Sequence, residues 1–254
     1  MQDQNRYAGR LTVHIIFRTV LLVGSILIYT GCVKPAASSS FLEKGQKEAE
    51  FAGGNQQNSA PINGLFEASQ PPRNYTDLVK KYSERYHLDW PLVLAVMKQE
   101  SRFDREAVSY AGAYGLMQIM PVTQSEIVDK LGVADAATPR NNIRAGVYHL
   151  RSMFRSFPRA SGLDKVELAL AAYNAGLTRI MAAREIARYL GQDPNSWEVV
   201  KKTLPLLTHS YYSLHRDIWH EDKPPCGYFG GYRQTVTYVE NIMQYYDDYS
   251  LALK

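Results

Sequence analysis

The sequence predicts a mainly α-helical domain, and three features of it carry that prediction. From Arg73 onward, apolar side chains recur three or four residues apart rather than in alternation. Proline and glycine stand where helices would begin and end, and no alternating run extends beyond a few residues. Of the 254 residues, 45% are hydrophobic and 21% charged, the balance of a chain able to bury a core.

The elements follow in order. In YTDLVKKYSERYHL, the side chains of Tyr75, Leu78, Val79, Tyr82 and Tyr86 share one helical face. Asp89 is expected to cap the next helix, WPLVLAVMKQES, whose Pro91 lies in the first turn, where a missing N–H costs nothing. PVTQSEIVDKLG forms a third helix that stops at Gly132. NNIRAGVYHLRSMF repeats Ile143, Val147, Leu150 and Phe154 at helical spacing. DKVELALAAYNAG opens with a capping box of Asp164 and Glu167 and ends at Gly176. NSWEVVKKTLP places Asn195 and Glu198 in a similar arrangement and halts before Pro205. The last segment, QTVTYVENIMQYYDDYSLAL, aligns Tyr238, Ile242, Tyr245 and Tyr249. The intervening LTHSYYSLHRDIWHEDKPPCGYFGGY is expected to be a long polar loop.

The N-terminal part has a different character. Arg6, Arg10 and Arg18 flank or precede TVLLVGSILIY, an apolar run of about 11 residues that ends in TGC, the pattern of a secretory signal. The run is shorter than the ~20 residues that span a bilayer. YTGC resembles the lipobox of bacterial lipoproteins with Cys32 as acceptor, although Tyr29 stands where leucine is usual. Val33 after the cysteine favours the outer membrane over the inner one by analogy. Residues 1–31 are therefore expected to be a lipoprotein signal peptide. Residues 32–72, rich in Ser, Ala, Gly, Gln and Asn, are expected to be the lipidated Cys32 and a disordered tether. Residues 73–254 form the helical domain. The only other cysteine is Cys226, so no disulfide framework is expected. A net charge of +4 lacks the dense basic stripe of a nucleic-acid binder, and none is expected as partner.

Glu100 ends an apolar helix, where lost hydration favours its neutral form and raises its pKa. A carboxylic acid held neutral near pH 7 is what protonation of a glycosidic oxygen requires. Three other segments supply chemistry that fits. SYAGAYGLMQIMP offers Gly112 and Gly115 for tight turning, and Gln118 as both donor and acceptor for sugar hydroxyls. LALAAYNAG brings Tyr173 and Asn174 to a helix end, and TYVENI offers the Tyr238 hydroxyl. Singly, each has an ordinary structural reading as a turn glycine, a helix-terminal amide or a core tyrosine.

Together, Glu100–Ser101, Gly115–Gln118, Ala172–Asn174 and Tyr238 resemble the motifs of the lytic transglycosylase domain of the soluble-lytic-transglycosylase type, related to goose-type lysozyme. The resemblance covers Tyr75 to Tyr246. The tract from ALAAYNAG to YVENI is similar to the catalytic module of membrane-bound lytic murein transglycosylase F, which carries an additional solute-binding-like domain where this sequence has only the tether. The resemblance implies a lysozyme-like, goose-type helical fold with a catalytic cleft. It also implies cleavage of the β-1,4 bond between N-acetylmuramic acid and N-acetylglucosamine, leaving a 1,6-anhydromuramoyl end. Glu100 would act first as acid and then as base, with Tyr238 holding it. Ser101 would orient the glycan or the carboxyl, Gln118 and Asn174 would contact saccharide, and Met117 and Tyr173 would form apolar walls. Asp104 and Glu106 are read as solvated loop charges, and no second carboxylate takes a nucleophile's part.

His209, His215, His220 and Cys226 do not follow common zinc spacing, so the tract carrying them is read as a loop over the glycan cleft and no metal or cofactor is expected. The partners implied are peptidoglycan strands and, through the lipid, a membrane, at the periplasmic face of the outer membrane. Two rival functions remain: a hydrolytic lysozyme of the same fold, and a non-catalytic peptidoglycan-binding lipoprotein.

Overall fold

A computed structural model describes residues 73–132 and 137–252. The expected signal peptide, Cys32 and the tether lie outside the described residues. The helical periodicities become α1 (Arg73–Tyr86), α2 (Trp90–Ser101), α3 (Pro121–Leu131), α4 (Pro139–Arg155), α5 (Gly162–Ala175), α6 (Leu177–Tyr189) and α7 (Trp197–Thr203). Two 3-10 turns, Leu204–Leu207 and His209–Tyr211, lead into α8 (Tyr212–Trp219), and α9 (Tyr232–Ala252) follows. Among the described residues there is no strand, only two isolated bridges that pair Tyr114 with Val108 and with Ile119.

The core is centred on α2. Its residues from Pro91 to Met97 are all buried, as a helix apolar on every side must be. It packs against α1 and, most extensively, α9, which also rests on α5. The stripe foreseen on α4 is buried, with Ile143, Val147 and Leu150 fully enclosed against α1 and α5. Each such side chain contributes about 1.5–3 kcal/mol by leaving water. Among the described residues no helix is long and apolar enough to cross a membrane.

The structure corrects the sequence at the helix starts. Asp89 occupies the N-cap position of α2 but makes no capping bond; its Oδ2 accepts the Tyr246 hydroxyl of α9 at 2.6 Å. Asp164 lies inside the first turn of α5, after the N-cap Ser161, and its Oδ1 accepts the Trp197 N–H at 2.7 Å, so it serves the start of α7 instead. Asn195 precedes the N-cap Ser196 of α7 and accepts from Nη2 of Arg184 at 2.8 Å. In all three cases a donor from elsewhere in the fold displaced the local one that sequence spacing suggested.

Two further differences concern α6 and the histidine-rich tract. α6 has no counterpart among the expected elements, yet Ile180, Ala183, Ile186 and Ala187 are all buried. The expected long loop is ordered by α8 and its flanking turns. His215 is fully buried there, its ring nitrogens 2.7 Å from the Leu206 carbonyl and 3.3 Å from that of Asp222. Trp219 donates from Nε1 to Glu185 of α6 at 2.8 Å. One backbone carbonyl just before the tract, one within it and a carboxylate of α6 turn a polar sequence into packed structure.

Candidate active site

Glu100 occupies the last turn of α2, and the chain turns sharply just beyond it. Arg102 and Phe103 both have positive φ, 52° and 67°, a conformation unfavourable for side chains with a Cβ. The Arg102 N–H closes the helix on the Lys98 carbonyl at 3.0 Å. Glu100 thus stands at the negative end of a helix whose body is buried, and both circumstances disfavour a carboxylate. Burial pushes its pKa up from 4.5 to about 7, even though the Tyr238 hydroxyl lowers it by donating to Oε1 at 2.6 Å. With Oε1 taken, Oε2 is the oxygen left to carry and pass a proton. Tyr238 is itself only 5% exposed. Its burial and the neighbouring Glu100 hold its own pKa well above the usual phenol range, so it remains a donor.

The second component is the turn from Tyr114 to Gln118, which three helices hold by side chains. Ser101 of α2 donates from Oγ to the Leu116 carbonyl at 2.9 Å. Asn142 of α4 accepts the Met117 N–H at 2.8 Å and donates to the Tyr114 carbonyl at 3.0 Å. Tyr173 of α5 donates to the Met117 carbonyl at 2.8 Å. Gly115 makes this approach possible. Its φ is 79°, and a Cβ there would lie 2.6 Å from Nδ2 of Asn142.

The motif residues meet in space, but with different duties from those expected. Met117 is fully buried, packed so closely on Gly146 that a Cβ there would be 2.4 Å from its own, and only its backbone reaches the Tyr173 hydroxyl. Its side chain faces the core and walls no cleft. The Gln118 amide nitrogen donates to the carbonyls of Ala107 and Gly115 at 3.0 and 2.9 Å. Its carbonyl oxygen is therefore the part left for a ligand. The Ser101 hydroxyl fastens the turn rather than touching the carboxyl. Tyr173 is partly buried and lies 5.0 Å, centroid to centroid, from the His149 ring. Asn174 is exposed at the end of α5, and its Oδ1 accepts the Thr235 hydroxyl of α9 at 2.9 Å. Asp104 and Glu106 are exposed, and Glu106 pairs with Arg105 at 3.0 Å. Beside Tyr238 lies a depression of about 310 Å3, bordered by Gln99 of α2, Asn174 of α5, and Arg233, Gln234, Thr237 and Asn241 of α9. Among the described residues no group of histidine, cysteine or carboxylate side chains is arranged to hold a metal.

Residues 77–194 match the family model described as the transglycosylase SLT domain. The chain carries a transglycosylase SLT domain. It is 36% identical over 178 residues to membrane-bound lytic murein transglycosylase F of Desulfosudis oleivorans, in an alignment covering 68% of this chain and 36% of that one. Its identity to the protein of the same name from Aeromonas salmonicida is also 36%, over 173 residues covering 68% and 32% of the two chains. The structure of an inactive glutamate-to-glutamine mutant of the lytic transglycosylase Slt from Pseudomonas aeruginosa superposes with a TM-score of 0.52 at 28% identity, covering 72% of this chain and 25% of that one. The 70 kDa soluble lytic transglycosylase of Escherichia coli, at 24% identity and a TM-score of 0.50 over 72% of this chain and 25% of its own, shares the fold. The chain thus spans about a third of the length of the curated relatives it matches. The helical SLT fold is the lysozyme-like one.

The SLT match ends at residue 194, so α9 lies beyond it, and the 2.6 Å bond is what brings Tyr238 to the site. Sequence reasoning missed Asn142, Thr235 and Gly146. A signal for the first and last existed: an asparagine and a glycine, four residues apart, share the otherwise apolar stripe of α4. Thr235 carried none, because its partner is 61 residues away.

Proposed function

We propose that the chain is a peptidoglycan lytic transglycosylase, cleaving the β-1,4 bond between N-acetylmuramic acid and N-acetylglucosamine with a 1,6-anhydromuramoyl product. The observation that carries this reading is a single carboxyl, poised with a pKa of about 7 at a helix end and held by one tyrosine. In the first half-reaction Glu100 gives its proton to the glycosidic oxygen, the C1–O bond breaks, and the N-acetylglucosamine O4 leaves as a hydroxyl. In the second, the Glu100 carboxylate takes the proton of the muramoyl C6 hydroxyl while O6 bonds to C1. The acid is thereby regenerated and no water is consumed. A pKa near the working pH suits one group to both transfers. Tyr238 keeps Oε1 engaged throughout, and Gln118 and Asn174 flank the cut with amide groups. The exposed Asp104 and Glu106 are engaged elsewhere and do not join Glu100 as a second carboxylate.

Digestion of purified sacculi with mass analysis of the released muropeptides tests the reading. Anhydromuramoyl ends are expected, and Glu100→Gln should reduce their release by about 10²–10⁴-fold. Ordinary reducing ends would instead mark a hydrolytic lysozyme, and glycan binding without release would mark an anchor. The same proposal places the protein in the periplasm, lipid-anchored through Cys32 to the outer membrane. The basic and apolar N-terminal pattern and the TGC sequence support that placement.

A further inference from the structure

Helix α4 carries a charge pattern that the catalytic reading does not use. Its 17 residues contain four arginines and no acid, against a net charge of +4 for the whole chain. Arg140, Arg144, Arg151 and Arg155 follow one another at intervals of four, seven and four residues. At about 100° per residue they fall within an arc of about 60°, a single row about 22 Å long. Asn142 and Gly146, which hold and pack the Tyr114–Gln118 turn, lie about 180° away around the same helix. The row therefore faces away from the catalytic turn. Arg140 and Arg155 are exposed, and Arg144 and Arg151 are partly so. The fold supplies no anion to the row. None of the four forms an ion pair among the described residues, and the exposed acids of the adjoining α1, Asp77 and Glu84, reach none of them. Arg140 donates from Nε to the Tyr82 hydroxyl of α1 at 3.2 Å, and Arg144 from Nη2 to the Leu131 carbonyl at 3.3 Å. These contacts steady two of the side chains and leave their other guanidinium nitrogens unengaged. The Nε atoms of Arg144 and Arg151 are buried with no partner at all, an unfavourable state that an outside acceptor near the guanidinium relieves.

We infer that this row docks the domain onto an anionic lipid surface, with the guanidiniums of α4 on headgroup phosphates. Four charges in a straight row cannot converge on one small anion, whereas a bilayer presents phosphates across a plane. Docking by this face turns the Tyr114–Gln118 turn away from the bilayer and toward the wall. The inference rests on the membrane placement proposed above and goes beyond it by naming the face that meets the lipid.

Vesicle sedimentation gives the test. The full chain carrying Cys32→Ala, so that no acyl chain contributes, is titrated with phosphatidylcholine vesicles and with vesicles of equal parts phosphatidylcholine and phosphatidylglycerol. The anionic vesicles are expected to bind more tightly. Replacing Arg151→Gln together with Arg155→Gln should weaken that binding about 30-fold, equivalent to ~1 kcal/mol for each arginine. Arg151→Lys with Arg155→Lys should keep it, because the row acts through charge. The N-terminal arginines are common to every variant and cancel in the comparison. Raising the salt from about 0.1 M to about 1 M should erase the preference, because screening tightens from ~10 Å to ~3 Å. Should the double glutamine variant fail to fold, Arg155→Gln alone, at an exposed position, is expected to weaken binding about fivefold. Equal binding to both kinds of vesicle overturns the inference, as does a preference that survives the glutamine substitutions. So does a loss of equal size in the double lysine variant, which would mark a structural role. A glutamine defect on purified sacculi instead of vesicles also overturns it, giving the row to anions of the wall. The anchor and the transglycosylase reading fail separately, the first by unchanged pelleting of Cys32→Ala from cells and the second by sacculi digested without anhydro ends.

Discussion

At the scale of single residues, the fold tolerates an unfavourable carboxyl where chemistry needs one. Glu100 has a pKa of about 7 in the folded chain against 4.5 unfolded. The fold therefore favours the neutral acid. Below about pH 4.5 the group costs nothing in either state. Between pH 4.5 and 7 stability falls as the unfolded chain ionises first, and above about pH 7 the loss levels off at on the order of 3 kcal/mol. Glu100→Gln should accordingly match the parent chain in melting temperature near pH 4.5 and exceed it near pH 8, a difference that scanning calorimetry at both pH values would register. Tyr238→Phe removes the bond that lowers the Glu100 pKa. The limb of the rate profile that falls as the acid deprotonates should move to higher pH, and kcat should drop about tenfold because the carboxyl is no longer held. A profile whose midpoint stays put would show that the hydroxyl does not tune the acid. The sequence made Glu100, Gln118 and Asn174 legible as polar residues ending apolar runs, and Tyr238 as a hydroxyl on the aligned face of the last helix. It could not reveal which atom of each is already engaged, so Met117 was read as a wall although its side chain is core. For Ser101, expected to orient the glycan or the carboxyl, it could not reveal that the hydroxyl is bound to the Leu116 carbonyl.

At the scale of elements, the Tyr114–Gln118 turn is the irregular piece in a helical protein, and side chains do for it what a ladder does for a strand. Asn142 satisfies two of its buried backbone groups at once. Asn142→Ala would leave the Met117 N–H without its partner, at about 1–3 kcal/mol, while the Tyr114 carbonyl keeps the Ile119 N–H at 3.1 Å. Chemical denaturation should show a loss of about 1–3 kcal/mol, and a loss well below ~1 kcal/mol would mean that the turn holds without α4. Helices with a clean apolar period, such as α4 and α9, were readable because burial follows periodicity directly. The caps depart from expectation for the opposite reason: Asp164 and Asn195 are not the N-cap residues, and Asp89 stands at the N-cap without a capping bond. A short polar side chain near a helix start accepts from whichever donor the tertiary fold brings closest, and here those donors are Tyr246, Trp197 and Arg184. α8 escaped notice because its one fully buried polar residue, His215, finds carbonyl partners that spacing does not disclose.

At the scale of the whole molecule, burial holds the described helices together, and the lipid anchor proposed at Cys32 would answer to a separate force, attachment to a membrane. If Cys32 carries lipid, Cys32→Ala should move the protein from the membrane pellet to the soluble fraction after osmotic lysis, with wall-cleaving activity retained. Continued pelleting would count against attachment there. The class of fold was legible because it depends on summed apolar periodicity. The assembled site was less so, because its contacts join distant parts of the chain. The acid on α2 and the tyrosine that holds it are separated by 138 positions. During synthesis, α2 is complete long before α9 exists. A partial chain would carry Glu100 without its holder and without the wall that supplies Arg233 and Thr235. Glu100 thus gains its holder only when the last described helix docks, and a translation product that stops before α9 carries the carboxyl without the hydroxyl that tunes it.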